Sequence, residues 1–405
     1  VRRIRLAGTA AASVLLVLAT LCGCAPSTPP RVSWHEVALP EGFVASRLVA
    51  VGGRLVVGGN TGESPALLVS SSADRGDSDR DGESNRGGGS NRDGTSTSTS
   101  TSTNAETLRP IPVHPVSFYG AISLWTTLVA DGTTLYALGG RSGGGHGNPR
   151  WTTWAGGLDG ITEQPAPGIE VFGGWRNGGV AGMAVAGGRP VIVGGRDNHG
   201  PGLDLAIWLH DGDEWVEQPS AGTALAATPG VLPFASGATG DGDRLLITGY
   251  AQHLGGGTVR IGAAVWVGSP GGTWRRVDLP ADGARSIADA ATCADGTCVV
   301  VGTGGGALLG WTLTGGSAHP LDLPPADVGD ATVPAPVVWG DRIAIAAPDG
   351  DATALELADA DHLDRFTTAA GPAGHPLALA VIGDRLALLT ESADASVHLW
   401  LGDAH

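Results

Sequence analysis

Three stretches of this 405-residue chain set histidine and arginine among glycines: RSGGGHGNPR from Arg141, RDNHGPGLD from Arg196 and YAQHLGGGTVR from Tyr250. They carry His146, His199 and His253, and the first two begin with Arg141 and with the pair Arg196–Asp197. A fourth stretch, VFGGWRNGG, adds Phe172, Trp175 and Arg176, and Phe118–Tyr119 lie further upstream. Guanidinium forks grip carboxylate or sulfate at two points, and aromatic faces stack on sugars and apolar groups. Arg141, His146, Trp175 and Arg176, together with Arg196, Asp197, His199 and His253, therefore form a candidate binding site for an anionic or sugar-like ligand. The same side chains also suit solvent-facing strand caps.

Covalent chemistry finds less support. No Gly-x-Ser-x-Gly elbow, H-E-x-x-H helix or phosphate-binding loop occurs. All 24 basic residues are arginine, which excludes lysine nucleophiles and Schiff bases. Glycosidase chemistry needs two carboxylates at a set separation. Among 40 acidic residues, Glu170, Asp197 and Asp204 do not stand out from surface charge. His146, His199 and His253 with Asp197 come nearest to a metal set. No catalytic residue, metal or cofactor is assigned.

The elements that must position these residues form a repeat. Seven apolar runs each follow a Gly/Asp turn pair: VGGRLVVGG from Val51, ADGTTLYALGG from Ala130, AGGRPVIVGG from Ala186, GDGDRLLITG from Gly240, ADGTCVVVGT from Ala294, WGDRIAIAAP from Trp339 and IGDRLALLTE from Ile382. Such pairs are hairpin-turn chemistry, and the runs behind them are β-branched or leucine-rich, as buried strands are. An apolar strand precedes each turn, a tryptophan-bearing strand such as LAIWLH or AAVWVG follows, and a polar-edged strand ending near proline closes the unit. Seven four-stranded units in tandem predict an all-β, seven-bladed β-propeller. The last unit stops at its third strand, while Trp34–Pro40 matches the fourth-strand pattern of Trp274–Pro280. An N-terminal strand is thus expected to complete the last blade and remove two exposed sheet edges. In a propeller, the second-to-third loops and the blade junctions share one face, which gathers the candidate residues at one channel mouth.

Segments outside the repeat read differently. Residues 1–23 pair a basic start with a short apolar core, the plan of a secretory signal peptide. Leu21-Cys22-Gly23-Cys24 resembles the lipobox of bacterial lipoproteins, which implies diacylglycerol on Cys24. Residues 24–33 then form a Pro/Ser tether, and 34–405 the propeller. Within the latter, a Ser/Thr/Gly/Asp-rich insert at about 70–105 has almost no apolar residue and cannot offset the entropy of ordering. Cys293 and Cys298 flank an Ala-Asp-Gly-Thr turn and are expected to form a disulfide in an exported protein. A formal charge of −16 argues against nucleic acid as partner. The Arg-only, Ala- and Gly-rich composition points to a GC-rich, actinobacterial genome.

GGTW at Gly271–Trp274 and DGDEW at Asp211–Trp215 resemble degenerate Asp-boxes, and the repeat as a whole resembles sialidase-like and Kelch-like propellers. Ser269 stands where the Asp-box has aspartate. That resemblance implies architecture, and for an active sialidase a Tyr–Glu pair and three arginines; none can be assigned from Tyr119, Tyr136 and Tyr250. The expectation is a monomeric propeller tethered to the outer face of the cell membrane by lipidated Cys24, which binds an extracellular glycan, peptide or protein. The alternative is a carbohydrate-active hydrolase or lyase.

Overall fold

The computed structural model describes residues 31–71, 106–143, 148–165, 168, 170–283 and 285–404. Cys24, His146 and most of the 70–105 insert lie outside the described residues. Seven sheets, each built on four antiparallel strands, follow one another around a ring. The chain is a seven-bladed β-propeller. Blade 4 shows the plan: Val231–Asp241, Arg244–Gly255, Thr258–Gly268 and Trp274–Asp278 pair in order, innermost strand first. The turns follow from residue type. In blade 5, Asp295 and Gly296 take φ of +50° and +78°, the left-handed pair that a two-residue hairpin turn requires. Cys293 and Cys298 sit directly opposite each other across that turn and form a disulfide.

Ring closure follows the expected scheme. Val32–Val37 pairs antiparallel with Val397–Ala404, from Val32 opposite Ala404 to Val37 opposite Leu399, and supplies the fourth strand of blade 7. Trp34 Nε1 also donates to Ala370 O of blade 6 at 3.2 Å. The insert leaves blade 1 intact, because Ser64–Ser70 pairs with Leu108–Ile111 and Ser71 N donates to Thr107 O at 2.8 Å.

Seven clusters of buried side chains fill the seven interfaces between neighbouring blades. A lone blade would leave its apolar faces in water, so each stacks on the next. Strand register aligns one third-strand position around the ring: Leu68, Trp154, Trp208, Trp266, Trp311, Glu356 and Trp400. Four of these tryptophans are essentially inaccessible, each worth about 2–3 kcal/mol of apolar burial. Blade 6 departs from the pattern. There Glu356 is fully buried, the Thr368 hydroxyl donates toward both its oxygens at 2.9 and 3.1 Å, and burial pushes its carboxyl above the usual range.

Six of the seven innermost strands carry a register shift at the same point, where one extra residue enters: Ser46, Thr126, Ala181, Ser236, Asp289 and Leu377. A bulge re-aims the side chains beside it. Here it turns residues of successive blades into the central channel.

Candidate functional site

The second-to-third turns and the blade junctions emerge on one face, termed here the junction face. Val32 pairs with the end of the third strand of blade 7 and so stands at the opposite face.

The arginine cluster at the junction of blades 2 and 3 holds a loop in place. Buried Arg196 donates from Nη1 to Gly173 O at 2.9 Å and from Nη2 to Glu170 O. Its Nε lies 3.3 Å from Glu217 Oε2, but the N–H is not aligned on that oxygen, so the contact is coulombic and not a hydrogen bond. Arg176 donates from Nε to Asp197 O at 2.9 Å and from Nη2 to Asn198 Oδ1 and to Glu217 Oε1, the latter at 3.0 Å. Both ends of the 170–176 loop are thus fastened to blade 3, and the short helical turn Gly174–Arg176 between them presents Trp175 at 92% exposure. Gly174 is at φ +71°, a left-handed backbone conformation that favours glycine.

Around this clamp, Asp197 Oδ1 accepts the His199 N–H at 2.7 Å, which fixes exposed His199 at φ +61°. Asn198 Nδ2 donates to Asp204 Oδ2 and Ser220 Oγ, and Asp204 further accepts from Ser220 Oγ and Ala227 N. Asp204 is thereby occupied as a structural acceptor. Trp175, Arg176, Arg196, Asp197 and His199 form one group. Arg141 is turned toward blade 1, with Nη2 3.4 Å from Glu63 Oε1.

His253 differs from the loop position expected for it. It lies within the second strand of blade 4, opposite Val231 and Arg260, because the hairpin stays paired until Gly255–Thr258. Gly256 and Gly257, at φ +56° and +75°, make the turn only beyond that point. Burial, aided by Arg260 and Arg276 against the pull of Asp278, holds its imidazole below the ordinary pKa.

A second clamp lies at the junction of blades 1 and 2. Buried Glu163 accepts the N–H groups of Val116 and Ser117 at 2.6 and 2.7 Å and the Ser117 hydroxyl at 2.6 Å. Ser117 caps the single-turn helix Phe118–Ala121, and a Cβ on Gly120 would collide with the Glu163 carboxylate. The pinned turn leaves Val116 and Phe118 70% and 73% exposed. Of nine exposed large hydrophobic residues described, seven lie at the junction face, on blades 1–4 or their junctions: Val44, Val116, Phe118, Leu124, Trp175, Leu254 and Val259. Solvent-exposed apolar residues normally scatter singly, and their concentration on half of one face departs from that pattern.

Sequence reasoning did not reach the central channel, a cavity of about 590 Å³. Arg47 and Asp289 line it. Arg47 donates from Nε to Thr126 O at 2.6 Å and from Nη1 to Ser46 O at 2.7 Å, and burial lowers its pKa. Asp289 Oδ2 accepts the Val333 N–H at 3.1 Å, and burial raises its carboxyl to about 6. Among the described residues, no group of three His, Cys, Asp or Glu could hold a metal ion, and no helix is long and apolar enough to cross a membrane.

No protein-family model matches the sequence, and no curated protein matches it significantly. Solved structures do match. The β-propeller domain of the trilobed protease from Pyrococcus furiosus, described as having an open velcro topology, is 9% identical, with 90% of this chain and 96% of that one covered and a TM-score of 0.50. At this identity the likeness shows the fold alone. A prolyl endopeptidase structure is 14% identical with a TM-score of 0.46; the match covers 88% of this chain and 46% of that one.

Proposed function

We propose that the protein is an extracytoplasmic propeller, anchored by lipid at Cys24, that binds an extracellular glycan, peptide or protein through its junction face. The observation that carries this reading is the display of Trp175 and Phe118 on two loops fastened from behind by Arg176, Arg196 and Glu163. Displaying an apolar side chain in water on a fastened loop costs free energy in the isolated protein. It lowers the ordering cost of association, which is how contact residues are prepared. Trp175 is the contact residue in this reading, and the arginines position it. A sialidase-like site would aim arginines at a substrate carboxylate. Here Arg196 is turned onto backbone carbonyls and Glu217, which favours binding over hydrolysis. Because Val32 stands at the opposite face, a tether running back to Cys24 would leave the junction face directed away from the membrane.

The test is a glycan and peptide array probed with the labelled full chain, then with Trp175→Ala and Phe118→Ala. The expected outcome is array binding that falls at least tenfold in each variant while thermal unfolding is unchanged. Binding indifferent to both substitutions would remove the junction face from consideration.

A further inference from the structure

The central channel carries two departures from the repeat. At the register-shift position, where Asp289 stands in blade 5, the other five blades that carry the shift have Ser46, Thr126, Ala181, Ser236 and Leu377. At the next position, where Arg47 stands in blade 1, they have Thr127, Gly182, Gly237, Ala290 and Ala378. The ring therefore holds one cation and one carboxylate at adjacent levels of a wall that is otherwise uncharged. In a seven-membered ring, blades 1 and 5 stand on opposite sides.

Neither charge is in an ion pair with a described residue. Two backbone carbonyls fix the Arg47 guanidinium through Nε and Nη1, and Nη2 makes no hydrogen bond to the described residues. A backbone N–H holds one oxygen of Asp289. Partly burying each group without a counter-charge is unfavourable, as the directions of both pKa shifts reflect. A ligand bearing both missing charges would relieve the two together. The cavity, about 590 Å³, falls within the roughly 300–1,000 Å³ range of small-molecule sites. Tyr250, Ser236 and Thr332 add hydroxyls to its wall.

We propose that the central channel binds a small zwitterion, such as a free amino acid or a short peptide with open termini, with its carboxylate on Arg47 and its ammonium on Asp289. This site is separate from the junction-face surface, and either can fail without the other.

Isothermal titration of the full chain with glycine, diglycine, triglycine and tetraglycine tests both the charges and the span. At least one member is expected to bind with a submillimolar Kd. Acetylating its amine or amidating its carboxylate should weaken that binding at least tenfold. Arg47→Met and Asp289→Asn should each do the same to the open peptide. Gly182→Leu supplies a charge-neutral control. A Cβ at Gly182 meets only ordinary contacts at 3.6 and 3.9 Å, so the added side chain should fold in place and fill the channel, abolishing binding. Ammonium docking also favours ionised Asp289, so binding near pH 6 should release protons and its heat should vary with the buffer. The proposal is overturned if no oligomer binds, or if blocked and open peptides bind alike to the unaltered protein. The peptide arm decides the matter even if a variant does not fold.

Discussion

Arg196 Nε stands 3.3 Å from Glu217 Oε2, at the back of the loop that displays Trp175. The other oxygen of that carboxylate takes Arg176 at 3.0 Å, so one acidic side chain on the outermost strand of blade 3 neutralises both arginines of the clamp. Glu217→Ala leaves buried Arg196 without a counter-charge. Breaking a fully buried pair from one side costs about 3–5 kcal/mol, and the partial exposure of Glu217 brings the expected loss to about 2 kcal/mol. Urea unfolding measures it. A loss below about 0.5 kcal/mol would show that the backbone carbonyls alone hold the loop.

Asp289 makes stability depend on pH in the direction opposite to a salt-bridged carboxylate. Its folded-state carboxyl titrates at about 6 instead of 3.8, so between these values the native protein binds more protons than the unfolded chain. Stability should therefore fall as pH rises from about 4 to 6, with the full penalty present above 6. Asp289→Asn removes the penalty and keeps an acceptor for Val333 N–H. Denaturation at pH 7.5 should show the variant more stable by about 1–3 kcal/mol, converging with the parent near pH 4. A constant difference across that range would locate the effect elsewhere.

The Cys293–Cys298 bridge closes a hairpin that its Asp-Gly turn already closes. A loop this short restrains the unfolded chain by about 2 kcal/mol at most. The Cys293→Ser/Cys298→Ser protein should accordingly lose about 1–2 kcal/mol and keep the parent circular dichroism spectrum. Thermal melts with and without reductant provide the check. Collapse of the fold on reduction would assign the bridge a larger part than its geometry supports.

A chain beginning at residue 40 lacks Val32–Val37 and leaves the edge of Val397–Ala404 unpaired. Exposed edges recruit other strands. The truncated protein should elute as oligomers in size-exclusion chromatography with light scattering and lose its single cooperative melt. Trp34→Ala, which forfeits the bond to Ala370 O, should remain monomeric with a lower Tm. A monomeric truncation that melts like the parent would show that closure of blade 7 is dispensable.

What was legible in the sequence was whatever recurs. Gly/Asp turn pairs, the third-strand tryptophans and the fourth-strand likeness of Trp34–Pro40 to Trp274–Pro280 together specified seven blades and their closure. The departures were hidden. Alternation along SRLVAV or ADAATCA does not reveal which residue an inserted position will turn into the channel, and so does not single out Arg47 or Asp289. Nothing in the local pattern of ALELAD sets Glu356 apart; only register against Ile345 puts it at the tryptophan position. For the candidate site, composition identified the junction around Trp175 and Arg196. Arg196 folds back onto the carbonyls of Glu170 and Gly173 and toward Glu217, which lies twenty-one positions further on in another strand, where composition does not point. The extended hairpin that carries His253 is not legible either, because three consecutive glycines do not show at which of them the strand ends and the turn begins.

Closure by Val32–Val37 also sets how the molecule bears a pull. Tension on the chain upstream of Val32 runs along that strand and against its antiparallel neighbour, so the ladder to Val397–Ala404 is loaded in shear, with its bonds sharing the strain instead of parting one by one. The carboxyl end of the same blade, flanked by Val32–Val37 on one side and Arg385–Glu391 on the other, is loaded in shear as well, so neither terminus offers a ladder that unzips.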